Sequence, residues 1–140
     1  MKLKYYPILV FIFCVGCDTT TEEPTPVDAS LISGTWKETE AYISSGGPQY
    51  WVDVKDGEEI AFFANGTFSS DRFAECSNGK FFIVQDELRL DFSCDGFTSE
   101  SEDEDGLITY KLEFYSNYFI VTPTSGPICI EGCSYKFERN

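Results

Sequence analysis

The sequence predicts an all-β domain, an eight-stranded antiparallel up-and-down barrel, on three observations. From Leu31 onward no segment carries a helical period, whereas apolar and polar residues alternate with period two in run after run. Short turn signals separate these runs at Asn65-Gly66, Asn78-Gly79, Asp86-Glu87 and Ser116-Asn117, and Asn-Gly suits the positive φ that a type I′ hairpin turn requires. Pairing across the turns then tests the assignment, because residues opposite one another share a face. About Asp86-Glu87 it sets Ile83 against Leu90 and Phe81 against Phe92, with Phe82 and Val84 turned away. About Ser116-Asn117 it sets Phe114 against Phe119 and Leu112 against Val121, with Lys111 and Glu113 outside. About Asn65-Gly66 it chooses no core face, since Phe63 falls opposite Phe68 while Ile60 and Phe62 take the other side.

In chain order the first strand, 35–43, opens at Gly34-Thr35-Trp36. Strands 58–64 and 67–74 flank Asn65-Gly66, 80–85 follows Asn78-Gly79, and 88–93 follows Asp86-Glu87. Strands 107–114 and 117–122 flank Ser116-Asn117, 134–139 closes the chain, and 50–54 is a weaker ninth. Closing the eight into a barrel removes the exposed edges that an open sandwich, the alternative arrangement, would leave. A barrel of this size either fills its interior with side chains or holds one small ligand.

The chain has 140 residues, 42% of them hydrophobic, which suits one domain. Ten Lys and Arg stand against 24 Asp and Glu, a net charge of −14 that repels a polyanion and excludes nucleic-acid binding. With no His, the chain lacks the usual general base and zinc ligand and cannot build a Ser/His/Asp or Cys/His arrangement. A non-enzyme is expected, with no catalytic residues, metal or cofactor.

Residues 1–16 read as an export signal: Lys2 and Lys4 precede an apolar run from Tyr5 to Val15 that is too short to span a bilayer as a helix. Cys14-Val15-Gly16-Cys17 resembles the lipobox of bacterial lipoproteins. The resemblance implies cleavage before Cys17, diacylglycerol on its thiol, and an address in the bacterial cell envelope, on the outer membrane, with the domain outside the cytoplasm. Residues 17–30, rich in Thr, Glu, Pro and Asp, are expected to be a disordered tether, and 31–140 the barrel domain. Loss of residues 1–16 removes two lysines and no acid, so 8 bases face 24 acids and the mature charge is −16.

The Gly34-Thr35-Trp36 opening, the Asn65-Gly66-Thr67-Phe68 turn and a cysteine-bearing segment before the last strand, set after a lipoprotein tether, resemble the lipocalin-like domains of bacterial lipoproteins over residues 31–140. The resemblance implies that Trp36 closes the base of the barrel and that Arg139, from the final strand, packs over it.

Cys76, Cys94, Cys129 and Cys133 remain in the mature domain after Cys17 is modified. An even number in an exported domain implies disulfides, with three connectivities. The Asp86-Glu87 register brings Cys94 near Gly79, beside the turn that Cys76 enters, which favours Cys76 with Cys94 and leaves Cys129 with Cys133. Cys-x3-Cys and Cys-x17-Cys without His are poor zinc spacings.

Three further features bear on chemistry. The acidic run Glu100, Glu102, Asp103, Glu104, Asp105 lacks the EF-hand ligand pattern and reads as a solvated loop. Strict alternation would turn Glu38 and Glu40 to the side of Trp36, where paired carboxylates could act as acid and base, unless a bulge parts them into surface acids. Tyr42, Tyr50 and Trp51, near Gly46-Gly47-Pro48, are candidate mouth aromatics. The expected role is a membrane-anchored barrel carrying a small hydrophobic or amphipathic ligand. The alternative is an acidic module that docks a basic protein, for example as an inhibitor of a cationic hydrolase.

Overall fold

The computed structural model describes residues 21–127, 129 and 132–140; the signal 1–16 and Cys17 lie outside them. A single turn, α1 (Ala29–Ile32), precedes β1 (Gly34–Ile43), β2 (Tyr50–Asp53), β3 (Glu59–Phe62), β4 (Thr67–Ser70) and β5 (Asn78–Val84). Then come β6 (Glu87–Phe92), β7 (Ile108–Phe114), β8 (Tyr118–Pro123) and β9 (Ser134–Arg139). All pairings are antiparallel and follow chain order from β3 to β9, and β1 pairs with both β3 and β9, which closes an eight-stranded ring. β2 lies outside that ring. The length of β1 explains this: its residues 34–37 pair with β3 and its residues 40–43 with β2.

Alternation places the core where period two predicts it. Leu88, Leu90 and Phe92 of β6, Leu112 and Phe114 of β7, and Phe119 and Val121 of β8 face inward and are buried. The β7–β8 hairpin has the expected register, Phe114 against Phe119 and Leu112 against Val121.

Two other hairpins differ from the sequence reading, for identifiable reasons. In β5–β6 the turn is Gln85-Asp86, with Gln85 at φ 58°, so Phe81 faces Leu90 and Ile83 faces Leu88. The slip is two residues, which leaves every face unchanged. In β3–β4 the loop holds three residues, with Phe62 opposite Phe68 and Gly66 at φ 83°; a turn closed by a left-handed Gly is the usual three-residue hairpin. The added residue inverts the parity, so Ile60, Phe62 and Phe68 turn inward and Phe63 is exposed.

Asn78-Gly79 is not a turn. Both residues lie in β5, where Gly79 pairs with Phe68 and Phe92, and the chain reverses instead through residues 71–77. Gly79 is needed for close approach, since a Cβ there would meet the Asp91 carbonyl and the Phe68 ring. The strand expected over 67–74 therefore ends at Ser70.

Within the expected tether, Thr25 N donates to the Phe114 carbonyl at 2.8 Å, and Val27 and Ala29 pack on the core. Asp28 caps α1 by accepting from Ser30 N and Leu31 N. Among the described residues no helix is long and apolar enough to cross a membrane.

Candidate functional site at the barrel mouth

The two ends of the barrel differ. At the base, Trp36 is fully buried, meets Phe119 and Phe114 edge-on, and donates its indole N–H to the Ile32 carbonyl at 2.7 Å. The Arg139 guanidinium lies 4.2 Å from the indole and donates to the carbonyls of Ser33 and Leu31. Gly34, at φ 134°, has no Cβ to strike that guanidinium. The structure thus brings Gly34, Trp36 and Arg139 together in a plug that seals this end.

At the opposite end, three segments converge on a largely buried carboxylate. Glu58 precedes β3 and shares the inward face of Ile60 and Phe62. It accepts from Ser70 Oγ at 2.6 Å and lies 3.6 Å from Arg72 Nη1, and Arg72 in turn donates to Tyr110 Oη at 2.8 Å. Glu38 reaches the same place and accepts from Glu58 N at 3.1 Å. Gly57 allows this approach, because a Cβ there would strike the Glu38 carbonyl.

Burial is the main influence on the Glu58 carboxyl and raises it above the usual glutamate range; Ser70 and Arg72 oppose the shift, while Glu38 and Asp71 add to it. Burial likewise pushes the Tyr110 hydroxyl up to about 12, so it stays protonated.

A carboxyl that holds its proton more tightly folded than unfolded stabilises the fold at low pH and loses that contribution as pH rises through its folded value. Glu58→Gln, which keeps an acceptor for Ser70, is therefore expected to match the parent below about pH 4 and to melt higher than the parent at pH 7. Thermal melts at both pH values check this. A Gln variant that melts lower at pH 7 would show that attraction to Arg72 outweighs burial.

Below this network the barrel is nearly full. A cavity of about 20 Å³, bordered by Phe62, Leu88, Phe119, Val121 and Phe137, has room for about one water. Above it an open cleft of about 370 Å³ is lined by Glu38, Asp56, Glu58, Asp71, Arg72 and Tyr135, and a second of about 220 Å³ shares Arg72, Tyr110 and Tyr135. Space for a ligand is at the mouth.

Glu38 and Glu40 do not act together. A bulge in the β1–β9 register falls between them, so Glu38 enters the mouth while Glu40 pairs with Lys136 on the outer wall, 3.5 Å away. Tyr50 and Trp51 are exposed on β2, and Tyr42 packs against Trp51, so the mouth aromatics are Tyr110 and Tyr135 instead. In the acidic run, Asp103 accepts from Asp105 N and Leu107 N and Glu102 from Ser99 N, which ties these carboxylates to their own loop. Among the described residues no group of three His, Cys, Asp or Glu could hold a metal ion.

Cys76 is bonded to Cys94 and Cys129 to Cys133. The two-residue slip in β5–β6 accounts for the first: Ser93 N donates to the Asn78 carbonyl, which brings Cys94 beside Ser77, with the Cα atoms of Cys76 and Cys94 5.7 Å apart. Disulfides fit an oxidising compartment outside the cytoplasm.

A closed eight-stranded up-and-down barrel with a plugged base is compatible with a lipocalin-like fold. No protein-family model and no curated protein matches the chain. Among solved structures, an uncharacterized protein from Bacteroides eggerthii DSM 20697 is similar over 78% of this chain and 99% of that chain, at 16% identity and a TM-score of 0.41.

Proposed function

We propose that this protein is a lipid-anchored envelope barrel, held through Cys17 on the outer membrane, that binds a small amphipathic ligand at its mouth and catalyses no reaction. The observation that carries the reading is the largely buried Glu58 at the boundary between an apolar shaft and an open cleft. The shaft is too full for a long hydrocarbon chain, so the ligand's apolar part is short. The cleft has four carboxylates and one guanidinium, which favours a head that is cationic or rich in hydrogen-bond donors. Such a head stabilises ionised Glu58, so binding strengthens as pH rises through the Glu58 titration.

The test is the intact mass of the full mature chain recovered from envelope, under native and denaturing conditions. A discrete adduct that is lost on denaturation supports the reading, and a consistently ligand-free chain contradicts it.

The acidic mouth also favours a second reading, docking of a basic protein. The loop at 93–107 alone carries Asp95, Glu100, Glu102, Asp103, Glu104 and Asp105. Binding of that kind weakens steeply with salt, whereas burial of an apolar group does not.

A further inference from the structure

We propose that the base end of the barrel rests on the lipid bilayer, with Phe63, Phe82 and Val84 entering its interface and the mouth directed away. The inference rests on the proposed lipidation of Cys17.

These three side chains are each 48% exposed, and they lie on adjoining parts of one wall. Phe63 N donates to the Thr67 carbonyl, and Thr67 pairs with Lys80. Phe82 and Val84 are the next outward positions along β5 toward the base, where the β5–β6 turn lies. Leu31, on α1, is 51% exposed at the same end, three residues before Gly34, which pairs with Phe62 beside Phe63.

The segment that follows Cys17 meets the fold at this end. Glu22 accepts from Ser116 Oγ in the β7–β8 turn, and Thr25 is bonded to Phe114. Both contacts are at the base. Five residues from Glu22 back to Cys17 extend at most about 18 Å. The chain therefore leaves the fold at the base, and Cys17 lies within that reach of it.

Charge favours the same orientation. Beside the patch, Arg89 lies directly opposite Phe82 and pairs with Glu87, Lys111 pairs with Glu113, and exposed Asp86 in the β5–β6 turn adds one acid, so the net charge there is small. The mouth loops carry Asp56, Asp71, Glu75 and the acids of 93–107, which an anionic membrane repels. Half-exposed rings flanked by long basic side chains suit an interface in which the rings sink and the charged ends stay wet. A second copy of the chain would need a far larger surface, about 800 Å² buried per partner in a standard interface.

The test uses the full lipidated chain in vesicles of phosphatidylethanolamine and phosphatidylglycerol whose acyl chains are brominated near the carbonyl. Phe82→Trp adds an indole at the patch, and Tyr50→Trp adds one on β2, near the other end. Intact mass first establishes the acyl chains on Cys17. The expected result is about twofold or greater loss of the added emission at position 82 relative to position 50, as an indole entering the outer 5–10 Å of the bilayer would give. Equal quenching at both positions, or none at 82, overturns the proposal while leaving lipidation intact. Shielding at 82 that persists without lipid, in a chain that sedimentates as a dimer, assigns the patch to a second copy and also overturns it. A mass without acyl chains overturns this inference and the anchoring together.

Discussion

Trp36→Ala is expected to lower the stability of the domain by about 4 kcal/mol, the middle of the range for removing a buried aromatic side chain. The indole is fully buried, supports Phe114 and Phe119, lies beneath Arg139 and satisfies the Ile32 carbonyl. Its loss therefore combines a cavity with an unpaired acceptor and an uncovered guanidinium. Since domains of this size are stable by only about 5–15 kcal/mol, the variant sits near the folding threshold. Trp36→Phe keeps one six-membered ring but loses the fused pyrrole ring with its N–H, so its deficit is smaller, about 1–3 kcal/mol. Denaturant midpoints for the pair check the order of the two losses, and equal midpoints for Trp36→Ala and the parent would remove the base plug from the account.

Opening the Cys76–Cys94 bridge by the double change to Ala is expected to cost about 3 kcal/mol, because the bond closes a loop of 18 residues in the unfolded chain. The Cys129–Cys133 bridge closes only 4 and is expected to contribute about 2 kcal/mol on the same reasoning. The first bridge also sets the loop after β4, which carries Arg72 and Phe73, so its removal is expected to loosen the mouth as well. Chemical denaturation of each double variant checks the order, and a larger loss at Cys129–Cys133 would contradict it.

Much of the barrel was legible because period two survives small errors. The β5–β6 turn lay one residue from its expected place, yet Phe81, Leu88 and Leu90 kept their faces because the pairing slipped by two. The β3–β4 hairpin was not legible in the same way. A single added loop residue inverts every face, and nothing in Ala64-Asn65-Gly66 distinguishes a three-residue loop from a two-residue one. Gly79 read as a turn because Asn-Gly favours positive φ, whereas the structure uses its missing Cβ for approach to Phe68.

The mouth was the least visible. Glu58 shares parity with Ile60 and Phe62 and could have been read as inward-facing from that alone. Its partners Ser70, Arg72 and Tyr110 come from later segments, and only closure of the ring and the reversal at 71–77 bring them to it. Glu38 and Glu40 were separated by a bulge whose position the alternation does not mark.

The most direct test of the account is calorimetric titration of the full mature chain with two short probes of matched length, an alkylammonium and an alkylcarboxylate, repeated with Glu58→Gln. The account predicts that the ammonium binds and the carboxylate does not. It also predicts that the Gln variant weakens ammonium binding by about tenfold, the loss of one charge-assisted contact of about 1.4 kcal/mol. Preference for the carboxylate, or ammonium binding unchanged by Glu58→Gln, would contradict the assignment of the ligand site to the Glu58 mouth.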